Sequence, residues 1–182
     1  VERGGERLMR TVDMILNVSR LQAGEFVLRP AEVDLPGLVR RIVSDHQSQA
    51  QKKKIVLSSV DECGNAGIVA DEYCITQAVS NLLNNAIKFT MHGQVEARVF
   101  RDREGRPCIS CRDTGIGIAK DYLPLLFSRY SQEQSGYSRP FEGLGLGMAL
   151  VKEYLALNNA TIEVESEKGV GTTFTITFYD GA

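Results

Sequence analysis

Long hydrophobic runs are absent from this 182-residue chain. No apolar stretch approaches the roughly 20 residues that a helix needs to cross a bilayer, so the sequence predicts no membrane span. A strong net charge is also missing. The balance is −2, and a general electrostatic attraction to nucleic acid or to an anionic membrane is therefore not expected. With 43% apolar and 24% charged residues, the composition is typical of a soluble globular domain with a full hydrophobic core.

The cysteines do not have the spacing of a metal site. Cys108 and Cys111 form a CxxC pair, but Cys63 and Cys74 do not stand where they would complete a zinc site. The pair also lies in a predicted strand, "CISCRDT", in which residues three apart point to opposite faces. We interpret these residues as reduced thiols of a cytoplasmic protein, with metal binding left as the alternative.

An apolar stripe at helical spacing runs through residues 6 to 23, and Gly24 follows it as a stop signal. A lone helix cannot bury such a stripe. Two interpretations are open: the helix packs on the body of its own domain, or it forms a hairpin or dimer whose other half lies outside this chain.

The remaining periodicity predicts helices on one side of a mixed or antiparallel sheet, which is an α/β two-layer sandwich preceded by a long N-terminal helix. Asp34 and Asp71 are expected to cap two helices, and the lysine run "QKKK" (residues 51–54) to be a solvated helix end. Residues 119 to 127 are expected to form a short helix, and residues 128 to 143 a long loop.

Residues 81 to 90, "NLLNNAIKFT", hold three asparagines in a predicted helix, although asparagine is a poor helix former. On a helical projection, the apolar side chains gather on one side. Amides and one lysine gather on another, and this amide stripe consists of Gln77, Asn81, Asn84, Asn85 and Lys88. Amides donate and accept hydrogen bonds, and their oxygens suit Mg²⁺ and its phosphate ligands. The stripe predicts a ligand crevice, with a merely amide-rich polar face as the alternative.

Two glycine clusters follow the predicted amide helix. "DTGIGI" (residues 113–118) places an acid at a strand end, where it can accept a hydrogen bond from an exocyclic amine such as that of adenine. "GLGLGMAL" (residues 143–150) opens into a helix, and backbone amides at such a terminus bind anions. The second cluster is neither a Rossmann fingerprint nor a P-loop, because it has neither GxGxxG nor GK[ST].

In this order, "NLLNNAIKFT", "DTGIGI", "LFSRYSQ" and "GLGLGMALVKEYL" resemble the asparagine, first glycine, phenylalanine and second glycine boxes of sensor histidine kinases, in the GHKL ATPase superfamily. "SEKGVGTTFTITF" is similar to the closing strand pair of their catalytic domain. "ERLMRTVDMILNVSRLQAGEF" is similar to the second helix of their dimerisation and phosphotransfer hairpin. The resemblance implies a Bergerat fold that binds ATP and Mg²⁺, with residues 1–25 as the hairpin helix and residues 26–182 as the catalytic ATP-binding domain.

For the asparagine helix, the resemblance implies that Asn85 is the Mg²⁺ ligand and that Asn81 and Lys88 lie against the phosphates. Asn85 and Lys88 are therefore the expected catalytic residues. They would steady the charge that develops as the γ-phosphoryl group moves.

For the pocket walls, the resemblance implies that Asp113 recognises the adenine amino group and that Gly115 and Gly117 give the nucleotide access to the backbone. The remaining expected site residues belong to a lid over the nucleotide. They are Phe127 at its start, Gly143, Gly145 and Gly147 in its phosphate-side hinge, and Arg139 where some members place a phosphate-contacting arginine.

The chain departs from the family pattern at the phosphoacceptor histidine, which stands in a box like "SHELRTPL". Neither His46 nor His92 has that context. We expect the acceptor helix to precede Val1, so that this chain is the C-terminal part of a larger kinase and cannot phosphorylate itself at the usual site.

The resemblance also implies partners and a location. The expected partners are a second copy, through the full hairpin, and the receiver domain of a response regulator, with no role for nucleic acid. The expected location is the cytoplasm, and a membrane anchor elsewhere in the parent protein stays open.

Two alternative functions stay open. One is another GHKL protein, either a serine kinase or a gyrase-like or chaperone ATPase. Such ATPases place a catalytic glutamate on the equivalent helix, where this chain has Gln77 and Asn81. The other is a non-catalytic signalling module that binds nucleotide and only dimerises.

Overall fold

Twelve elements make up the computed structural model, which describes residues 2–128 and 146–179. In chain order they are α1 (Glu2–Ala23), β1 (Pro30–Asp34), α2 (Leu35–Lys52), β2 (Val56–Asp61), β3 (Gly67–Asp71), α3 (Glu72–Phe89), β4 (Gln94–Arg101), β5 (Pro107–Asp113), a 3₁₀ turn (Leu123–Leu125), α4 (Gly147–Leu157), β6 (Ala160–Glu167) and β7 (Gly171–Phe178).

Five strands form one mixed sheet in the order β2–β4–β5–β7–β6. The β2–β4 pair is parallel and the other pairs are antiparallel. Strands β1 and β3 form a separate antiparallel pair. One face of the sheet packs on the helices, and side chains alternate along each strand between that core and the other face. In β4, for example, Val95, Ala97 and Val99 are buried. The predicted two-layer sandwich with a mixed sheet is confirmed.

Helix α2 buries the apolar face that its periodicity predicts, namely Leu38, Val39, Ile42 and Val43. Asp34 stands at its N-cap position, but its side chain makes no capping hydrogen bond. The prediction that Asp34 caps this helix is correct for position only, because its carboxylate lies against Gly37.

The lysine run at the end of α2 is not wholly solvated. The Lys53 ammonium turns inward and donates to backbone carbonyls at the end of α3. The expectation of a solvated helix end is therefore wrong at this residue, because a cation is stabilised by the unpaired carbonyls of a helix C-terminus.

Helix α1 ends at Ala23, and Gly24 follows it with φ +69°. Its inner side chains Met14, Val18 and Leu21 join a cluster on α3 and α4. The rest of this cluster is Phe26, Leu28, Cys74, Leu146, Leu150 and Tyr154. The outer side chains are exposed: Met9, Val12, Ile15 and Leu16. Thus α1 packs in part on the domain's own body and still leaves an apolar stripe uncovered. Among the described helices, none is long and apolar enough to span a bilayer.

Asp71, whose carboxylate is buried, joins three parts of the chain through its side chain and its backbone. It accepts from Cys74 N (3.1 Å) as the N-cap of α3, and from Arg29 N (2.8 Å) in the segment after α1. The Asp71 backbone N–H donates to the Asn158 side chain just after α4 (2.7 Å). The predicted cap is confirmed, and it also fixes where the chain enters the domain.

The segment before residue 129 differs from its prediction. Residues 119 to 127 contain only the 3₁₀ turn Leu123–Leu125 rather than a short helix. Pro124 lies inside that turn and has no N–H for an α-helical hydrogen bond. Most of the predicted long loop, residues 129–143, lies outside the described residues.

The CxxC residues lie on β5 and face opposite ways, as the strand period predicts. Cys111 pairs with Ala97 and Phe174 on the core side, and Cys108 pairs with Phe100 and Thr177. Burial raises the pKa of Cys111 to about 12 and also raises that of Cys108, so both thiols stay protonated at neutral pH.

Candidate nucleotide-binding site

Helix α3 separates its apolar and amide faces as the projection predicts. Ile75, Val79, Leu82 and Leu83 are fully buried. The amide stripe is neither buried nor exposed, because all five of its members are half-buried. A simple solvated face would be more exposed, and a core face would hold no unpaired amides. The amides therefore form a partly covered face, which fits the predicted crevice.

The first turn of α4 forms one wall of this crevice. Asn85 Nδ2 contacts the Met148 sulfur at 3.2 Å. A side chain on Gly147 would put its Cβ 3.3 Å from Asn81 Oδ1, so a glycine there allows α4 to approach α3 closely. The structure thus brings Asn81, Asn85 and Gly147 together. The amide nitrogen of Asn85 faces the sulfur, which directs the amide oxygen away from Met148.

The turn after β5 packs on the other end of α3. Ile116 N donates to Phe89 O at 3.2 Å. A Cβ on Gly115 would lie 2.6 Å from the same carbonyl oxygen and 2.8 Å from Asp113 Oδ1, closer than real Cβ atoms approach. The Lys88 ammonium, which lies 5.0 Å from the centroid of the Phe89 ring, is at this end of the helix. The Asp113 turn therefore packs on the backbone of the last turn of α3.

Asp113 is almost completely buried, at 7% exposure. Its Oδ1 accepts from Gly115 N at 2.8 Å. Burial raises the pKa of Asp113, and hydrogen bonds from the backbone N–H groups of Gly115 and Thr172 oppose that rise. A buried carboxylate with its own backbone donors is a fixed acceptor that can meet a ligand amine in a low-dielectric pocket.

Thr172 stands opposite Asp113 in the β5–β7 register and is 6% exposed. Its hydroxyl lies 2.9 Å from Ser166 Oγ. Sequence reasoning missed this residue. No local pattern marks it, because only the pairing of β5 with β7 brings its backbone N–H to the Asp113 carboxylate.

Gly117 has a packing role that the resemblance did not imply. Its φ is +64°, and a Cβ there would lie 2.6 Å from the Glu167 carbonyl carbon. Gly169 N donates to Ile116 O at 2.8 Å, and Ile118 N donates to Ser166 Oγ at 2.8 Å. The missing side chain thus lets the turn pack against the β6–β7 connection, and access for a nucleotide at Gly117 stays a prediction.

The remaining predicted residues fall into two groups. Phe127 is half-buried, packs against the main core and shares the lining of a surface cavity of about 230 Å³ with Ala149 and Lys152 of α4. Arg139, Gly143 and Gly145 lie outside the described residues, as does Tyr130 in the same segment. Of the other expected site residues, Asn81, Asn85 and Gly147 lie together where α4 begins, and Asp113 and Gly115 pack on the end of α3 that carries Lys88.

Comparison with known proteins decides the family. The model of the "Histidine kinase-, DNA gyrase B-, and HSP90-like ATPase" family matches residues 70–181. The chain belongs to this ATPase family. The match begins just before α3 and includes the amide stripe, the Asp113 turn and the closing strands.

Within the ATPase family, the chain is similar to sensor histidine kinases. It is 33% identical over 181 residues to hybrid signal transduction histidine kinase L of Dictyostelium discoideum, covering 96% of this chain and 11% of that protein. It is 34% identical over 178 residues to the sensor protein EvgS of Escherichia coli K12, covering 95% of this chain and 15% of that protein. The chain thus spans less than a sixth of the length of these curated relatives.

A solved structure supports the same placement. The crystal structure of full-length ShkA in complex with AMPPNP superposes with a TM-score of 0.85 at 30% identity, covering 97% of this chain and 36% of that one. The family, the relatives and the fold together identify a catalytic ATP-binding domain of the sensor histidine kinase type.

One feature of α3 separates this ATPase-family member from the gyrase-like alternative. The only acidic residue of α3 is Glu72, in its first turn. Glu72 is exposed and bonds to Arg41 of α2. It lies one turn before the amide stripe begins, so α3 does not offer a carboxylate as general base within the crevice.

Proposed function

We propose that this chain holds Mg-ATP in the crevice beside α3 and delivers its γ-phosphoryl group to a histidine on a phosphotransfer helix, from which an aspartate of a response regulator takes it. The observation that carries the proposal is the half-buried amide stripe between the start of α4 and the Asp113 turn.

At the base end of the crevice, Asp113 accepts a hydrogen bond from the adenine amino group. Thr172, beside it in the register, supplies a second polar group. Guanine carries a carbonyl oxygen where adenine carries its amine, so a buried carboxylate at this point repels guanine. The base end therefore selects ATP over GTP.

Along the amide stripe, Asn81 and Lys88 meet the phosphate oxygens, Asn81 with its amide and Lys88 with its ammonium. Helix α4 begins at Gly147 without a side-chain cap, which leaves its first backbone amides for an anion. Gly143, Gly145 and Arg139 belong to the proposed lid that covers the phosphates, with Phe127 at the start of that lid. Phosphoryl transfer needs positioning and charge neutralisation more than covalent chemistry, and these groups provide both.

The donor set of the crevice fits Mg²⁺ held mainly by phosphates. No group of three or more His, Cys, Asp or Glu side chains that could cage a metal occurs within residues 2–128 and 146–179. An amide oxygen is a hard neutral ligand, and Mg²⁺ takes most of its other ligands from water and phosphates. Asn85 would hold the ion through its amide oxygen, since its amide nitrogen contacts the Met148 sulfur. When bound, Mg²⁺ would neutralise part of the triphosphate charge.

The uncovered apolar stripe of α1 supports a second half of the helical hairpin, and a homodimer formed through it. In this proposal residues 1–25 belong to the hairpin and residues 26–182 to the catalytic domain. The acceptor histidine lies on the other hairpin helix, in a cytoplasmic kinase.

Two measurements test the proposal. Calorimetry should show binding of MgATP, weaker binding in EDTA and at most weak binding of MgGTP. Addition of a histidine-bearing phosphotransfer hairpin and labelled ATP should give an acid-labile phosphate on that hairpin. Binding without transfer would favour the non-catalytic signalling module, and equal affinity for ATP and GTP would contradict the role of Asp113.

A further inference from the structure

The last turn of α3 is held by partners from outside the helix. Thr90 N donates to Ala86 O (3.0 Å), which leaves three later carbonyls without a helical donor. Ile87 O and Lys88 O both accept from the Lys53 ammonium, at 2.5 and 2.9 Å. The third, Phe89 O, accepts from Ile116 N. Every carbonyl of this turn therefore has a donor, and one amine supplies two of the bonds.

The Lys53 ammonium makes a third bond, to Thr90 O at 2.8 Å. Its three N–H donors thus match three converging carbonyl oxygens just beyond and within the end of α3. A positive charge at a helix C-terminus is also favoured by the helix dipole. The side chain is half-buried, and burial lowers its pKa, as expected for an amine taken out of water.

The end of α2 aims Lys53 at this position. Lys54 N donates to Gln51 O, and Ile55 N donates to Ala50 O, which is the hydrogen-bond pattern of a Schellman motif. Lys54 occupies the left-handed position of that motif, with φ +58°. The turn fixes the backbone of Lys53 and separates it from its exposed neighbours Lys52 and Lys54.

We propose that Lys53 is a positioning residue for the nucleotide phosphates: by fixing the carbonyls of the last α3 turn, it sets the place of the Lys88 side chain. The inference rests on the proposed nucleotide-binding function, in which Lys88 meets the phosphates. Lys53 acts on Lys88 through its hydrogen bond to the Lys88 backbone carbonyl.

A double-mutant cycle on the 182-residue chain tests this positioning role. MgATP affinity is measured by calorimetry for wild type, Lys53→Met, Lys88→Ala and the double variant, well below the unfolding temperature. Lys53→Met should weaken MgATP binding by roughly tenfold, since it removes charge-assisted bonds that order the turn. In the Lys88→Ala background the same change should have less than about a twofold effect.

Two further variants serve as controls. Lys52→Met removes an equal charge from the same run and should leave the affinity within about twofold of wild type, because Lys52 is exposed. Lys53→Arg keeps the charge and the donors, and should restore most of the affinity. If Lys53→Met does not fold, Lys53→Arg takes its place in the cycle, with an expected loss of about threefold that disappears in the Lys88→Ala background.

The outcomes separate this inference from the proposed function. Wild-type affinity in Lys53→Met, or the same loss in both Lys88 backgrounds, would overturn the positioning role while leaving MgATP binding intact. A wild-type chain that does not bind MgATP would overturn the proposed function and the inference with it. A lowered unfolding temperature with unchanged affinity would reduce Lys53 to a stabilising cap.

Discussion

Helices α1 and α3 depart from ordinary amphipathic helices in opposite directions. Helix α1 exposes apolar side chains: Met9 is 70% exposed, and Ile15 and Leu16 are about half exposed, at 48% and 49%. Helix α3 instead covers polar side chains, since its amide stripe is half-buried. Uncovered apolar groups are typical of a protein interface, and covered amides are typical of a polar ligand site. The contrast indicates that the open face of α1 is suited to another protein segment and that the amide face of α3 is suited to a polar ligand.

The largest effect is expected from Asn85→Ala, which removes a polar group from α3 and leaves α1 unchanged. We expect MgATP affinity to fall by about 100-fold, because the variant removes the proposed Mg²⁺ ligand while the apolar face of α3 stays intact. Calorimetry measures the loss. Asn84→Ala, a change of the same size on the same half-buried stripe, should have little effect. Equal affinities for wild type and Asn85→Ala would remove the metal assignment.

A second change tests whether the ligand beside α3 is an adenine nucleotide. Asp113→Asn should weaken ATP binding by roughly 30-fold, in line with about 2 kcal/mol for a hydrogen bond to a charged group. Binding of magnesium tripolyphosphate, which has no base, should not change. An equal loss of affinity for both ligands would show that Asp113 maintains the fold of the crevice and does not recognise the base.

The pH dependence of binding sharpens the same assignment. Because burial raises the pKa of Asp113, its carboxylate takes up a proton at a higher pH than an exposed aspartate, for which the pKa is about 3.9. The folded state then binds this proton more tightly than the unfolded state does. Asp113 therefore contributes to stability at low pH, and this contribution is lost as pH rises through the folded pKa.

Lowering the pH is expected to weaken ATP binding, although it favours the contribution of Asp113 to stability. Only the ionised carboxylate accepts a hydrogen bond from adenine without carrying a proton of its own. The ratio of wild-type to Asp113→Asn affinity for ATP should fall severalfold as the pH is lowered through the raised pKa of Asp113. Taking the ratio cancels the titration of the triphosphate itself. A ratio that stays constant with pH would mean that ionisation of Asp113 does not control binding.

The smallest effect is expected from substitutions on the two sides of α1, one facing the body of the domain and one facing solvent. Val18→Ala should weaken the docking of α1 on the body by about 1 kcal/mol, because Val18 is only 9% exposed and packs near Leu150 and Tyr154. Ile15→Ala should not change docking, since Ile15 faces solvent. Hydrogen exchange of the α1 amides reports both. Faster exchange in Ile15→Ala would show that the outer stripe already has a partner.

Local periodicity predicted most of the fold. The apolar stripes of α2 and α3 and the alternation in β4 and β7 are repeated over several turns or residue pairs, so tertiary packing reinforces them. The segment 119–127 lacked such repetition, and Pro124 prevented a helix there. Asp34 shows the limit of a cap signal, because the sequence marks the position but not where the side chain turns.

The site was predicted less completely than the fold. Asn81, Asn85 and Asp113 stood out because amides on a helix and an acid before glycines are locally unusual. Lys53, Thr172 and the packing of Gly117 on Glu167 depend on contacts between segments far apart in the chain, which no local pattern encodes. The sequence does not distinguish the three lysines of the run. In the structure, the Schellman turn directs only Lys53 toward the end of α3.

The Asp71 carboxylate has a consequence for anyone who wishes to fuse this domain to a different input module. It holds the backbone of Arg29, and the cluster on α4 extends back through Phe26 and Val18 to Met14. A splice placed at Gly24 would cut through packed structure, so a chimeric sensor should retain α1 from Met14 onward and accept foreign sequence only before it.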